Sequence, residues 1–203
     1  MIRLVVVDDH PVAAAGVVAA LAGQADIEVA GVARTLAEVG PVVAAAQPHV
    51  ILCDIQLGHE RGIDLPRRLA PPAPPVIFFT SYDYPSYVRA ALDSGAAGFV
   101  LKSAPLAEIV KAIRSVAGGG TAYDSSHLRN ARKAPRLPSS RELEVISLVA
   151  AGNSNAEIGA ALGIDERTVE SHLRRLFDRY GADSRIELIT YSVRAGWIDL
   201  NAD

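Results

Sequence analysis

The chain holds one cysteine, Cys53, among 203 residues. A single thiol excludes an intramolecular disulfide and a cysteine-based zinc site, and it fits a reducing compartment. Long hydrophobic runs are also missing: the longest apolar stretches fall well short of the roughly 20 residues that a membrane span needs. No basic region with a small-residue cleavage site opens the N-terminus, so the sequence predicts a cytoplasmic protein with no membrane partner. Net charge is only −3, which argues against a nonspecific polyanion binder and confines any nucleic-acid surface to a local patch. No internal repeat is found. What the chain does have is a composition that is 50% apolar, enough for a sizeable core in one large or two ordinary domains.

Four apolar runs in the first half each lead into a residue suited to phosphate or metal. They are IRLVVV into Asp8 and Asp9, VILC into Asp54, VIFF into Thr80, and GFVL into Lys102. With a fifth run they predict strands over 2–7, 27–33, 50–53, 76–79 and 98–101. Helical patterns alternate with them over 11–22, 35–46, 62–70, 84–94 and 105–117. Five βα units predict a flavodoxin-like α/β domain built on a parallel sheet. Ligands of such sheets bind past the carboxyl ends of the strands, so these residues converge on one site despite their separation. Singly, each has a blander reading, as a helix cap or a solvated cation. Jointly, five residues on four loops would have to reach this arrangement by accident.

Gly118-Gly119-Gly120 ends the fifth helix, and residues 118–135 carry Arg129, Arg132 and Lys133 against one acid, Asp124. It reads as a linker over 118–138, with a short helix around 124–131. From residue 139 the pattern is helical only. Ser139 with Glu142, Ser154 with Glu157, and Ser184 with Glu187 have the Ser-x-x-Glu spacing of a capping box. A further start at Asp165 brings the count to four helices. The domains expected are thus α/β over 1–117 and all-α over 139–203.

VVVDDH, LCDIQLG, FFTS and GFVLK together resemble the receiver domain of bacterial two-component response regulators. The resemblance covers residues 1 to about 117. It implies that Asp54 is the phosphoacceptor for a sensor histidine kinase, with Mg²⁺ as cofactor. The residue types suit that chemistry, because a carboxylate attacking phosphorus meets like charge that a divalent cation must neutralise. Mg²⁺ is hard and retains waters, so the carboxylates of Asp9 and Asp54, the Gln56 backbone carbonyl, and Asp8 through water make a reasonable shell. Lys102 supplies a point charge for the phosphoryl oxygens, and the Thr80 hydroxyl can donate one hydrogen bond to them. In the family that hydroxyl moves inward and an aromatic three residues before the lysine fills the space. Here that aromatic is Phe99, which reads equally as an ordinary core residue.

The chain departs from the family at several points. Leu57-Gly58 replaces the usual Met-Pro, a change that loosens the following loop, and Ala14 stands where an arginine is common. Gln56 and Tyr82 occupy positions that in the family influence how long the phosphoryl group survives. Cys53 reads as a small core residue. His10, without a second histidine or cysteine at ligand spacing, reads as structural.

Residues from Leu137 to Ile198 resemble the LuxR-type helix-turn-helix in its four-helix form, through Arg141-Glu142, Gly152, Ser154-Asn155, Glu157-Ile158, Thr168-Val169, His172 and Arg185. A receiver joined to this module is the architecture of the NarL/FixJ class of transcription regulators. At about 100° per residue, the third helix places Val169, Leu173, Leu176, Phe177 and Tyr180 on one face. Arg167, Thr168, Glu170, Ser171 and Arg174 are the residues free to meet a major groove, while Arg175 and Arg179 flank them toward the phosphates. Arg174 suits either a guanine or a phosphate. Glu170, where the family commonly has lysine, suits an intrahelical pair with Arg167 or Arg174 or a bond from cytosine N4, the first being favoured. Leu188, Tyr191 and Ser192 on the last helix resemble the family element that pairs two modules, and Trp197 is placed under its end. A homodimer on a palindromic double-stranded DNA operator follows, with half-sites about one helical turn apart.

The sequence thus points to a phosphorylation-switched transcription factor, not an enzyme beyond a slow autophosphatase. Phosphatases of the haloacid dehalogenase type share the aspartate, Ser/Thr, lysine and Mg²⁺, but they carry an Asp-x-Asp and residue 56 here is Gln. The other reading is a receiver controlled by a ligand or partner without phosphorylation. Such receivers lose an acidic residue, the threonine or the lysine, and this chain keeps them all.

Overall fold

The structure is a computed structural model that describes residues 1–58 and 60–198. It divides into two compact units, Met1–Ala134 and Pro135–Asp203.

The first unit is built on five parallel strands in the order β2-β1-β3-β6-β7, with β1 Ile2–Val7, β2 Ile27–Ala33, β3 Val50–Cys53, β6 Val76–Thr80 and β7 Gly98–Leu101. The central strands β3 and β6 are buried at every residue, as an apolar run must be when helices cover both faces of a sheet. Leu4, Val6, Leu52 and Ile77 pack on one face with Leu21 of α1 (Pro11–Leu21) and with Val110, Ile113 and Val116 of α5 (Leu106–Ala117). The alternate residues Val5, Val7, Ile51, Cys53 and Phe78 are equally buried and point to the opposite face. Helices α2 (Leu36–Ala46) and α4 (Pro85–Ser94) complete the fold of this unit.

The helix expected over 62–70 is shorter. A 3₁₀ turn over Gly62–Asp64 leads into α3, which spans only Leu65–Arg68. The proline-rich run from Pro71 stops it, because proline lacks an N–H and biases the residue before it toward extended backbone. Ahead of this turn, β4 (Gln56–Leu57) and β5 (Glu60–Arg61) form a small antiparallel hairpin. The Leu57-Gly58 departure falls in this hairpin.

Residues 118–134 pack within the first unit. Ala122 bridges to Gly98 on the outer edge of β7, accepting from the Phe99 amide at 2.9 Å and donating to the Ala97 carbonyl at 2.8 Å. The short helix expected here is α6 (Ser125–Ala131), capped by the Asp124 carboxylate on the amides of Ser126 and His127. It lies against α4, and Arg89 of α4 donates to the Ala134 carbonyl at 2.6 Å.

The second unit is all helical: α7 Ser140–Ala150, α8 Asn155–Leu162, α9 Glu166–Tyr180 and α10 Arg185–Arg194. Ser139, Ser154 and Ser184 each accept from the amide three residues on. The box is closed by glutamate at the first two, whereas Glu187 turns instead to the Asp183 amide. Val145, Ile146, Val149, Ile158, Val169, Leu173, Leu176 and Leu188 form the core. Gly159 lets α8 meet the turn before α9, since a Cβ there would stand 2.7 Å from the Ile164 carbonyl oxygen.

Candidate functional site

Asp8 follows β1, Asp54 follows β3, Thr80 closes β6 and Lys102 follows β7, so four strand ends deliver one pocket. The Lys102 ammonium lies 2.7 Å from Asp8 Oδ2 and 2.6 Å from Asp54 Oδ2. Asp8, Asp54 and Thr80 are buried. Burial holds the Asp54 carboxyl above its ordinary value, opposed by the hydrogen bond and charge of Lys102. Burial also pulls the Lys102 ammonium down, but its bonds to Asp54 and Asp8 outweigh that and raise it overall. The Cys53 thiol is pushed well up, first by burial and then by the two carboxylates, which keeps it an inert core group.

The Asp8 carboxylate accepts from the His10 amide at 2.9 Å, and His10 Nδ1 sits 2.9 Å from Asp9 Oδ1. One ligand atom each from Asp8, Asp9, His10 and Asp54 fit within 4.8 Å of one another. The imidazole that the sequence set aside as structural thus borders the acidic cluster. Three carboxylates offering hard oxygen donors fit the binding of a divalent cation such as Mg²⁺.

The Gln56 amide approaches Asp54 Oδ1 at 3.4 Å, and its side-chain Nε2 donates to the Tyr87 hydroxyl at 3.0 Å. Tyr82 donates its amide to Thr80 Oγ1 at 3.3 Å. Phe99 is buried beneath α6, where the His127 ring meets it. Gly62 is a site residue that sequence reading missed. A Cβ there would fall 2.0 Å from the Asp54 carbonyl oxygen, so only glycine lets the 3₁₀ turn close behind the aspartate. Nothing in a single Gly-Ile-Asp stretch signals that approach.

In the second unit, α9 turns Val169, Leu173 and Leu176 inward and leaves Arg167, Thr168, Glu170, Ser171, Arg174 and Arg175 exposed. Three expectations need correction. Arg179, expected to flank the groove toward the phosphates, is engaged within its own unit: its guanidinium grips the Glu142 carboxylate at 2.9 and 3.0 Å. Burial alone would raise Glu142, but Arg179 and the Ser139 amide pull it below its ordinary value. The favoured intrahelical pair does not form either, since no ion pair joins Glu170 to Arg167 or Arg174 among the described residues. On α10, Leu188 and Ser192 lie fully inside their own unit, four residues apart on the inward face, where Ser192 donates to the Leu188 carbonyl. Tyr191 stacks at 5.4 Å on Tyr180 and lies 5.1 Å from Trp197, and the exposed residues of α10 are Ile186, Glu187, Thr190, Val193 and Arg194.

Several of the motif residues that carried the resemblance are scaffold. Arg141 bonds the Leu162 carbonyl, and Arg185 bonds the Asn153 carbonyl at 2.7 Å and Asn155 Oδ1. These guanidiniums tie the ends of α7 and α10 to either end of α8.

A parallel sheet with an acidic, lysine-closed pocket, joined to a helix-turn-helix unit, defines a response regulator of the transcription-factor kind. Residues 4–114 match the response regulator receiver domain, and residues 138–192 match the bacterial regulatory proteins of the luxR family. The chain belongs to these families, as a two-component response regulator with a LuxR-type DNA-binding domain. It is 36% identical over 207 residues to the transcriptional regulatory protein MctR of Rhizobium johnstonii, covering 96% of this chain and 94% of that one. The crystal structure of the response regulator ChrA, from a heme-sensing two-component system, is 32% identical with a TM-score of 0.56 and covers 97% of this chain and 98% of ChrA. A structure of two RcsB dimers on two parallel DNAs is 25% identical with a TM-score of 0.63, covering 95% and 98%. No helix among the described residues is long and apolar enough to cross a membrane.

Proposed function

We propose that a sensor histidine kinase phosphorylates this regulator on Asp54 and so controls its binding, as a dimer, to an operator in the cytoplasm. The observation that carries the reading is the Lys102 ammonium within 2.7 Å of both Asp8 and Asp54 at the rim of three carboxylates. Asp54 attacks phosphorus, Lys102 meets the phosphoryl oxygens, and Thr80 donates its hydroxyl to them. Asp8, Asp9, Asp54 and the Gln56 carbonyl would hold Mg²⁺, which when bound neutralises charge between the carboxylates and the phosphoryl group.

The output passes through the segment after α5. Phe99 is the residue whose amide bonds Ala122 and whose ring meets His127, so a shift of Thr80 and Phe99 toward a phosphoryl group strains the seat of α6. That differential contact biases the docked against the released linker, as any conformational switch requires. The regulatory half over 1–117 then acts through the linker over 118–138 on the DNA-binding half over 139–203. On DNA, Arg167, Thr168, Glu170, Ser171 and Arg174 face the groove and Arg175 the backbone. Pairing of two copies on DNA is supported by the RcsB dimers solved on DNA, and a palindromic operator would match their two-fold symmetry.

Intact-mass analysis after acetyl phosphate and Mg²⁺ tests the switch. One phosphoryl group on wild type and none on Asp54→Asn is the expected result. A folded wild type that gains no mass overturns it.

A further inference from the structure

Tyr87 lies on α4, seven residues beyond Thr80, and is 2% exposed. Its hydroxyl accepts from Gln56 Nε2 at 3.0 Å, and its ring lies 5.7 Å from that of Tyr82. Gln56 is anchored two residues past the phosphoacceptor, its backbone N–H 3.4 Å from Asp54 Oδ1. One buried phenol therefore contacts both Gln56 and Tyr82.

We propose that Tyr87 is a positioning residue for phosphoryl lifetime: by holding the Gln56 side-chain carboxamide against α4, it keeps that group from orienting the water that hydrolyses the aspartyl phosphate. This rests on Asp54 being the phosphoacceptor. In hydrolysis the water oxygen bonds to phosphorus while the bond from phosphorus to the Asp54 oxygen breaks. Its electron pair returns to the carboxylate, and the water proton passes to the departing phosphate. The water must arrive in line with the breaking bond, which is the side facing the mouth. A free carboxamide there is both donor and acceptor and can hold a water at that point. A carboxamide whose nitrogen is spent on the Tyr87 hydroxyl loses half that capacity and all of its freedom to swing. Uptake of the phosphoryl group depends on the Asp54 carboxylate, the Lys102 ammonium and the acidic cluster rather than on the Tyr87 hydroxyl, so gain and loss of phosphate should separate.

Wild type, Tyr87→Phe, Gln56→Leu and the double variant are loaded with acetyl phosphate and Mg²⁺, desalted, and followed by intact mass. Tyr87→Phe keeps the ring and removes only the hydroxyl. It should load at the wild-type rate and lose phosphate about 3–10-fold faster, the scale of one better-placed water contact rather than of a lost catalytic group. In the Gln56→Leu background the same substitution should change nothing, because the amide it releases is gone. A merely structural role would alter loading and loss together and would persist without Gln56. Equal lifetimes in wild type and Tyr87→Phe, or equal acceleration with and without Gln56, overturn the proposal. Failure of wild type to take up phosphate overturns the reading of Asp54 instead, so the two failures are told apart on the same samples.

Discussion

The His127 imidazole meets the Phe99 ring edge to face, 5.8 Å between centroids at 81°, while its Nε2 lies 3.3 Å from Asp83 Oδ1 in the loop after β6. A residue of the linker helix thus touches the aromatic beside the pocket and the loop that begins at Thr80. An edge-to-face pair contributes about 0.5–1.5 kcal/mol beyond its buried area. Replacing His127 by alanine should therefore raise the undocked population of α6 roughly 5-fold, at about 1 kcal/mol. Hydrogen exchange over 125–131 should quicken accordingly, with phosphoryl uptake unchanged and unphosphorylated DNA binding strengthened. Unaltered exchange in this segment would show that α6 is seated by other contacts.

Asp54 should destabilise the fold at neutral pH. Its folded carboxyl is raised above the ordinary 3.8, so between that value and the folded one the native state binds more protons than the unfolded chain. Stability therefore falls as pH rises through this window and stays lowered above it. Asp54→Asn should melt at a higher temperature than wild type at neutral pH, and the difference should close as pH drops below about 3.8. A gap that widens on acidification would contradict the argument.

Glu142 works in the opposite sense. Its carboxyl is held below the ordinary 4.5, so its contribution is present above that value and is lost as pH falls through the folded one. Glu142→Gln gives up the charged partner of Arg179 and weakens the capping box of α7, at a cost of about 2 kcal/mol. Urea unfolding of the DNA-binding unit at neutral pH should show the loss, and Arg179→Ala should add little to it. On DNA, Arg175→Ala should lower the slope of log affinity against log salt by about one, whereas Arg179→Ala should leave that slope unchanged. Equal slopes for both variants would return Arg179 to the interface.

Gly62→Ala would place a methyl on the Asp54 carbonyl, where no flexible side chain can yield. The backbone must shift, at about 1–3 kcal/mol. Phosphoryl uptake should slow more than stability falls, because the displaced atoms belong to the nucleophile's own residue. Wild-type uptake kinetics in this variant would count against a tight turn behind Asp54.

Much of the fold is written in short-range patterns. Apolar runs such as VILC and VIFF specify buried strands whatever lies far away in the chain, and the residue after each inherits its place at the sheet's end. That is why Asp8, Asp54, Thr80 and Lys102 could be brought together on paper. The serine caps are legible for the same reason, since Ser139 and Glu142 satisfy each other within one turn. The helical pattern over 62–70 overruns α3, which ends at Arg68, because periodicity carries no stop signal and the prolines beyond do.

Other features depend on partners that sequence distance conceals. Glu142 and Arg179 are 37 residues apart, and only the packing of α7 against α9 turns a presumed phosphate contact into an ion pair. Leu188 and Ser192 share a helix face that could have met a second copy, and the core of their own unit claimed it. The polar, basic stretch over 118–138 reads as a linker, yet an open edge on β7 and the side of α4 offered residues 118–134 hydrogen bonds and cover. Local propensity and periodicity determined the elements and the chemistry at their ends. Tertiary packing alone decided which polar groups are used up holding the protein together and which are left to meet phosphate or DNA, because each bond can be made only once.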